Sequence, residues 1–178
     1  MRVDLDETDR TILDILQRNA KTPQVEIARQ VGLSAASVNE RIHKLERLGV
    51  IRGWVVLLDD QKVGHEITAF IEVFIDHPRH EKRFIALAQA LDEVQECHHV
   101  AGDCSCLVKV KAPDRQTLRT LVLDRFNSLA GVRQTRTTLV LETAKETSRL
   151  PLRSSAVPGP AASPPVRHPT TRKARAIP

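Results

Sequence analysis

The sequence is poor in aromatic residues, with no Tyr, one Trp and four Phe among 178 residues. Its hydrophobic cores must therefore be aliphatic, and 41% apolar residues suffice to build them. No apolar run approaches the ~18 residues that a membrane-spanning helix needs. The N-terminal stretch MRVDLDETD is acidic, whereas a secretory leader would begin with basic residues. These absences predict a soluble, cytoplasmic protein without a membrane partner.

Cysteine is also scarce, and Cys97, Cys104 and Cys106 are an odd number within ten residues. That pattern is a poor disulfide framework and fits a reducing compartment. His98 and His99 lie beside Cys97, and thiolates with imidazoles can bind zinc or copper. The spacing matches no recognised zinc pattern, so we expect small buried thiols in a sheet and no metal. A redox-sensing pair of Cys104 and Cys106 is the remaining alternative.

The net charge of +5 is unevenly distributed along the chain, because all of the excess positive charge lies in residues 151–178. Residues 1–150 contain 22 basic and 22 acidic side chains, so any DNA contact there must come from a local patch. Residues 151–178 contain seven of the ten prolines and no acidic residue, and we predict that they form a disordered tail. This tail either contacts DNA phosphates or is a solvated end. Its basic residues are Arg153, Arg167, Arg172, Lys173 and Arg175.

Residues 1–50 predict three helices in quick succession, because apolar residues recur at spacings of three and four. Capping signals predict where the helices begin, and glycines where two of them end. The first begins after Asp6, the second runs from Thr22-Pro23 to about Gln30 before Gly32, and the third runs from Ser34 to Leu48 before Gly49. A short helix, a glycine turn and a longer Ser-capped helix predict a helix-turn-helix.

The third helix has two different faces. A buried stripe is predicted at Val38, Ile42, Leu45 and Leu48. The opposite face has small residues near its start and donors and cations further along, which suits a DNA major groove. The predicted DNA-binding residues are Ser34, Ser37, Asn39, Glu40, Arg41, His43, Lys44, Arg47 and Arg52.

The rest of the chain predicts a second domain. Residues 51–58 (IRGWVVLL) are β-branched and leucine-rich, which predicts a strand that would serve as the wing of a winged helix-turn-helix. From Ile67 the pattern is βαββαβ, the order of ferredoxin-like folds, so the fold class is α+β. The predicted elements are strands 67–75, 94–100, 106–111 and 132–141 and helices 81–91 and 115–128. The expected domains are residues 1–60, 61–150 and 151–178.

Residues 4–152 resemble the Lrp/AsnC (leucine-responsive, feast/famine) family of transcriptional regulators. The resemblance rests on the D-x-x-D-x-x-I-L start at Asp6, the VGLS turn and the R-x-x-x-LE-x-x-GVI stretch from Arg41 to Ile51. ECHHVAGDCSCLVKV is similar to the hairpin of the family's ligand domain, and GVRQTRTTLVLETAKETSRLPL to its last strand and end.

The resemblance implies sequence-specific binding to double-stranded DNA, a C-terminal domain that dimerises through its sheet, and further assembly, often into octamers. It also implies a small effector, usually an amino acid, and no cofactor. Carried over, the effector-binding residues are Gly102, Asp103, Cys104, Ser105, Cys106, Thr135, Thr137 and Thr138.

This chain departs from the family pattern at Ser105 and Cys106, where the family usually has Asp followed by an aromatic residue. A carboxylate there could receive an ammonium group, whereas serine offers a hydroxyl. An architectural DNA-binding protein with little sequence specificity or a lost effector response is therefore the alternative. No candidate base lies in a motif with a nucleophile or a phosphate-binding loop, so we expect no enzyme.

Overall fold

The computed structural model describes residues 3–152, so the predicted disorder of residues 153–178 lies outside the described residues. The chain forms two compact units, divided between Gly53 and Trp54, and Arg149 and Leu150 belong with the N-terminal unit. Among residues 3–152, no helix is both long enough and apolar enough to cross a membrane.

The N-terminal unit is a three-helix helix-turn-helix, as predicted. Helix α1 spans Glu7–Arg18, α2 spans Gln24–Val31 and α3 spans Ala35–Arg47. The Asp6 side chain caps α1 by accepting from the Asp9 backbone N–H at 2.6 Å. The core that joins the helices is aliphatic and consists of Ile12, Leu16, Ile27, Ala28, Val38 and Ile42.

The predicted Thr22 cap of α2 is wrong. The residue before α2 is Pro23, and no side chain caps this helix. The Thr22 hydroxyl instead donates to the carbonyl oxygen of Asn19 at 2.8 Å, in the turn that follows α1. Thr22 therefore closes the end of one helix and does not begin the next.

The predicted strand over residues 51–58 is also wrong. These residues form neither helix nor strand, and they pair with no other described segment of the chain. Val55, Val56 and Leu57 are 78%, 78% and 81% exposed. Their β-branched composition favours an extended backbone, but a strand requires a neighbouring strand for its hydrogen bonds. The wing is consequently absent from the described chain.

The C-terminal unit is the predicted βαββαβ fold. Its strands are β1 (Ile67–Ile75), β2 (Val94–His99), β3 (Cys106–Ala112) and β4 (Val132–Leu139). They form one antiparallel sheet in the order β2-β3-β1-β4. Helix α4 spans Glu81–Gln89, and α5 spans Arg115–Thr120 and continues through a wider, π-type turn over Leu121–Phe126.

The sheet buries one face beneath these helices. Alternate residues of the central strands are fully buried there, which is the period expected when one face of a sheet is covered. Phe84 and Phe126 meet edge to face with ring centroids 5.1 Å apart, so two of the four phenylalanines lie in this core. The other core residues are Ala69, Ile71, Val73, Ala88, Cys106, Val108, Val110, Ala112, Leu118 and Leu121.

Candidate functional site

The turn between α2 and α3 sets where α3 begins. Gly32 has φ +69°, a left-handed conformation that glycine adopts without strain and that ends α2. The backbone N–H of Leu33 then donates to the Ala28 carbonyl at 3.0 Å. Ser34 caps α3, because its hydroxyl oxygen accepts from the Ser37 backbone N–H at 3.1 Å. The start of α3 is therefore fixed on both sides of the turn.

The back of α3 packs against the first two helices. Val38, Ile42 and Leu45 are 0%, 7% and 0% exposed, as the predicted stripe requires. Leu48 is 47% exposed, so its predicted burial is wrong. The reason is that α3 ends at Arg47 and the chain turns at Gly49, which has φ +68°. Leu48 therefore follows the last helical residue and leaves the stripe.

Arg41 joins α3 to α1. Its Nη1 lies 2.6 Å from a carboxylate oxygen of Asp6 and 2.6 Å from one of Asp9. The Asp9 side chain is 2% exposed, and Lys44 Nζ lies 3.9 Å from its other oxygen. The pKa of Asp6 is lowered mainly by the hydrogen bond from the Asp9 backbone N–H, and next by the hydrogen bond from the Arg41 side chain. The hydrogen bonds to Asp6 and Asp9 raise the pKa of Arg41. Arg41 is thus committed to holding the two helices together.

The exposed side of α3 forms an open concave surface, which we call the α3 groove face. It is lined by Asp6, Leu33, Ser37, Glu40, Arg41, His43, Lys44 and Arg47. His43 Nδ1 lies 2.9 Å from a Glu46 carboxylate oxygen. The Arg47 side chain is exposed and has no hydrogen bond or ion pair with any residue between 3 and 152. Arg47 is therefore a cation available to a ligand on this face.

The structure brings six of the nine predicted DNA-binding residues onto the α3 groove face, and Ser34, Asn39 and Arg52 do not line it. Gln24 Nε2 of α2 donates a hydrogen bond to the side-chain oxygen of Asn39 at 2.8 Å. The amide N–H groups of Asn39 therefore remain as donors. Sequence reasoning missed Asp6 and Leu33. Leu33 could have been found from its position in the turn just before the Ser34 cap, because residues there lie beside the start of α3.

The second predicted site centres on the hairpin between β2 and β3. The Ser105 hydroxyl accepts from the Ile75 backbone N–H at 3.3 Å, and the Ser105 N–H donates to the Val73 carbonyl at 2.9 Å. Both bonds tie the end of this hairpin to β1. The residue that replaces the usual family carboxylate is consequently engaged with backbone, and Asp103 is the exposed carboxylate of the hairpin.

Two of the three cysteines belong to the core beneath the sheet: Cys106 lies within it and Cys97 packs against it. Cys106 is fully buried, and burial raises the pKa of its thiol to about 12. Burial also raises the pKa of the Cys97 thiol. Such thiols carry little thiolate, which is the reactive and metal-binding form. No group of His, Cys, Asp or Glu side chains within residues 3–152 is arranged to hold a metal ion.

The three predicted threonines of β4 do not share a face of the sheet. Thr135 and Thr137 lie opposite Val73 and Ile71 of β1 and therefore point toward the helix-covered side. Thr138 lies opposite Phe70 and points to the other side. A single ligand therefore does not contact all three side chains from one face.

Comparison with known proteins agrees with both halves of this structure. Residues 5–46 match the model of the AsnC-type helix-turn-helix domain, and residues 68–150 match that of the Lrp/AsnC ligand binding domain. The leucine-responsive regulatory proteins of Salmonella typhimurium and Escherichia coli K12 are each 37% identical over 153 residues. Each alignment covers 85% of this chain and 93% of the relative.

Two solved structures are similar over most of their length. A transcriptional regulator from Neisseria meningitidis, solved as an L-Met complex, has a TM-score of 0.80 at 32% identity, covering 84% of this chain and 97% of that one. Escherichia coli AsnC has a TM-score of 0.78 at 25% identity, covering 85% and 100%. The predicted fold class and the predicted role in transcription regulation are confirmed: this chain belongs to the Lrp/AsnC family of transcriptional regulators, with an AsnC-type helix-turn-helix domain and an Lrp/AsnC ligand-binding domain.

Proposed function

We propose that this regulator recognises specific DNA sites by placing the α3 groove face in the major groove. The observation that carries this proposal is the availability of Arg47, which is exposed and unpartnered among residues 3–152 on the face opposite the buried stripe. Arginine at such a position can donate two hydrogen bonds to guanine. In this proposal His43, on the same face, reaches a base edge beside Arg47, and Lys44 meets a phosphate. Asn39 does not line this face, and its amide N–H groups remain as donors for a further base edge.

The other predicted residues take supporting roles in this proposal. Ser34, Ser37 and the first backbone N–H groups of α3 suit a phosphate, since helix N-termini attract anions. Glu40 lines the same face. Arg52, which follows α3 in the chain, is assigned to the flank of that face in this proposal. Arg41 acts as a positioning residue, because its guanidinium already binds Asp6 and Asp9.

We further propose residues 1–60 as the DNA-binding domain with its linking segment, 61–150 as the effector domain and 151–178 as a tail. The working form is a homodimer, either alone or as the building block of an octamer. The exposed aliphatic run from Val55 to Leu58 supports self-association, because exposed apolar patches commonly mark protein interfaces. A DNA-bound regulator without catalytic chemistry, working in the cytoplasm, is consistent with the similarity to leucine-responsive regulatory proteins.

For the effector we propose an amino acid bound near the hairpin of residues 102–106. The Neisseria neighbour was solved with L-methionine, which makes methionine the first ligand to test. Asp103 is the group that would receive the ligand's ammonium, since Ser105 is hydrogen-bonded to Ile75. The side chain of Cys106 is buried in the core, so it contributes through its backbone.

A second candidate function is an architectural DNA-binding protein that has lost its effector response. The engagement of Ser105 with the β1 backbone favours it, because the usual family carboxylate is absent and its replacement is occupied. The two candidates differ in two observables, namely stabilisation by an amino acid and preference for particular DNA sequences.

Thermal-shift screening against the twenty amino acids tests the effector. We expect at least one amino acid to raise the Tm by several degrees. A ligand at 100 times its Kd adds about 2.7 kcal/mol of stability, and 1 kcal/mol is worth roughly 4–8 °C in a domain of this size. Asp103→Asn should reduce this shift, whereas Asp124→Asn, an exposed carboxylate on the α5 extension, should leave it unchanged. If none of the twenty amino acids raises the Tm, this result would contradict an amino-acid effector and support the second candidate function.

A further inference from the structure

Glu40 is an acidic residue on the surface that we assign to DNA. It lies in the second turn of α3, it is exposed, and it lines the α3 groove face. Its carboxylate has no hydrogen bond or ion pair with any residue between 3 and 152. Because DNA is a polyanion, a free carboxylate on the approaching surface weakens binding unless a donor group of the DNA meets it. Glu40 therefore either opposes binding or accepts a hydrogen bond from the DNA.

The cations that follow Glu40 along α3 are engaged with other carboxylates. Arg41 binds Asp6 and Asp9 through its Nη1. Lys44 follows Glu40 by four residues, the spacing at which opposite charges on a helix commonly pair. Its Nζ instead lies 3.9 Å from a carboxylate oxygen of buried Asp9. Both cations thus face carboxylates of the α1 region, and the Glu40 carboxylate remains available to a ligand.

The major groove offers a carboxylate few partners. The donors there are the N4 amino group of cytosine and the N6 amino group of adenine, whereas guanine and thymine present acceptors that repel a carboxylate. The adenine amino group lies beside the N7 acceptor of the same base, and cytosine has no acceptor on its own major-groove edge. A carboxylate on a reading helix is therefore best matched to cytosine.

We propose that Glu40 is a specificity-determining residue that accepts a hydrogen bond from the N4 amino group of a cytosine in the bound site. This inference rests on the proposed recognition of DNA by α3. Base edges are contacted from the N-terminal part of a recognition helix, and Glu40 lies in the first half of α3. Its charge also rejects the acceptor-bearing bases at the same position, so it contributes selectivity more than affinity.

Glu40 and Arg47 read different base pairs in this arrangement. They are seven residues apart on α3, which is about 10.5 Å along the helix axis. Successive base pairs are about 3.4 Å apart, so with α3 lying along the groove the two contacts are about three base pairs from one another. The site bound by one α3 should therefore contain a cytosine and, about three base pairs away, the guanine contacted by Arg47.

The test is selection of duplexes from a random-sequence pool by the full chain, followed by measurement of Kd. Wild type should enrich a site with cytosine at one position, and Kd should rise about 10- to 100-fold when another base replaces it. Glu40→Gln should instead enrich adenine at that position, because glutamine donates to N7 and accepts from N6. Glu40→Ala should lose the preference at that position and keep it at the others.

Glu7→Gln is the matched control, because it removes an exposed carboxylate of the same unit that does not line the α3 groove face. It should enrich the same site as wild type. On random duplexes Glu40→Gln should bind about twofold more tightly than this control, because a negative charge near phosphates is removed. Arg47→Ala should lose the preference at a different position, and loss at the cytosine position would overturn the assignment of Glu40.

The outcomes separate this inference from the proposal on which it rests. If wild type enriches no sequence, recognition by α3 fails, and the role of Glu40 fails with it. If wild type enriches a site and both Glu40 variants enrich the same site, recognition by α3 stands and the role of Glu40 alone is overturned. A loss of preference at every position in Glu40→Ala would also overturn the assignment to one cytosine. A change at a single position, from cytosine to adenine in Glu40→Gln, supports both proposals.

Discussion

Arg47→Ala should weaken binding to a selected DNA site by about 10- to 100-fold while leaving the protein folded. A good bidentate arginine–base contact is worth about 1–3 kcal/mol, and each 1.4 kcal/mol is tenfold in Kd. Binding to random DNA should change much less, because a base contact adds nothing there. The Tm should stay within a degree or two of wild type, since the Arg47 side chain has no partner among residues 3–152.

The measurement is fluorescence anisotropy at one fixed salt concentration, using a duplex enriched by wild type from a random-sequence pool. Arg115→Ala is the matched control, because it removes one exposed cation from the C-terminal unit. If the Kd of Arg47→Ala for the selected duplex is within threefold of the wild-type value, Arg47 does not make the proposed base contact. An equal reduction in affinity on selected and random duplexes would make Arg47 a phosphate contact.

Arg41→Ala should damage the fold of the helix-turn-helix and thereby abolish DNA binding. The change leaves the Asp9 carboxylate buried, with Lys44 Nζ at 3.9 Å as its remaining cation. Breaking a fully buried pair costs about 3–5 kcal/mol, and the 31% exposure of the Arg41 side chain lowers this to roughly 2–3 kcal/mol. We expect the unfolding of the N-terminal unit to shift down by roughly 10 °C or more.

Hydrogen exchange of the α1 and α3 amides, combined with thermal unfolding, measures this effect in the full chain. Arg18→Ala breaks an exposed pair with Asp14 on the same helix and should cost about 0.5 kcal/mol or less. Adding Asp9→Asn to Arg41→Ala should restore part of the stability, because it removes the unpaired buried charge. A stable Arg41→Ala protein that fails to bind DNA would contradict a positioning role and assign Arg41 to the DNA contact.

Local signals in the sequence are sufficient to predict most of the secondary structure. The strand at 67–75 has the limits that its pattern predicts, and Ser34 and Gly32 act as expected at the turn before α3. Each of these features depends on neighbouring residues in the chain. The same holds for the buried stripe of α3 up to Leu45.

Features that depend on distant residues are not predictable in this way. The strand expected at 51–58 fails because no described segment pairs with it, and a partner cannot be read from the residues themselves. The Arg41 contacts with Asp6 and Asp9 join residues 35 and 32 positions apart, which sequence periodicity does not reveal. The threonines of β4 divide between two faces because of their register with β1.

Competition between two duplexes tests the central claim, which is that α3 reads a particular DNA sequence. Wild-type protein is bound to a labelled duplex that it has selected from a random pool. The unlabelled competitors are the same duplex and a scrambled duplex of equal length and composition, at equal salt. The account predicts that the selected duplex competes about 10³-fold or more better. Equal competition by the scrambled duplex would contradict sequence-specific recognition and favour the architectural function.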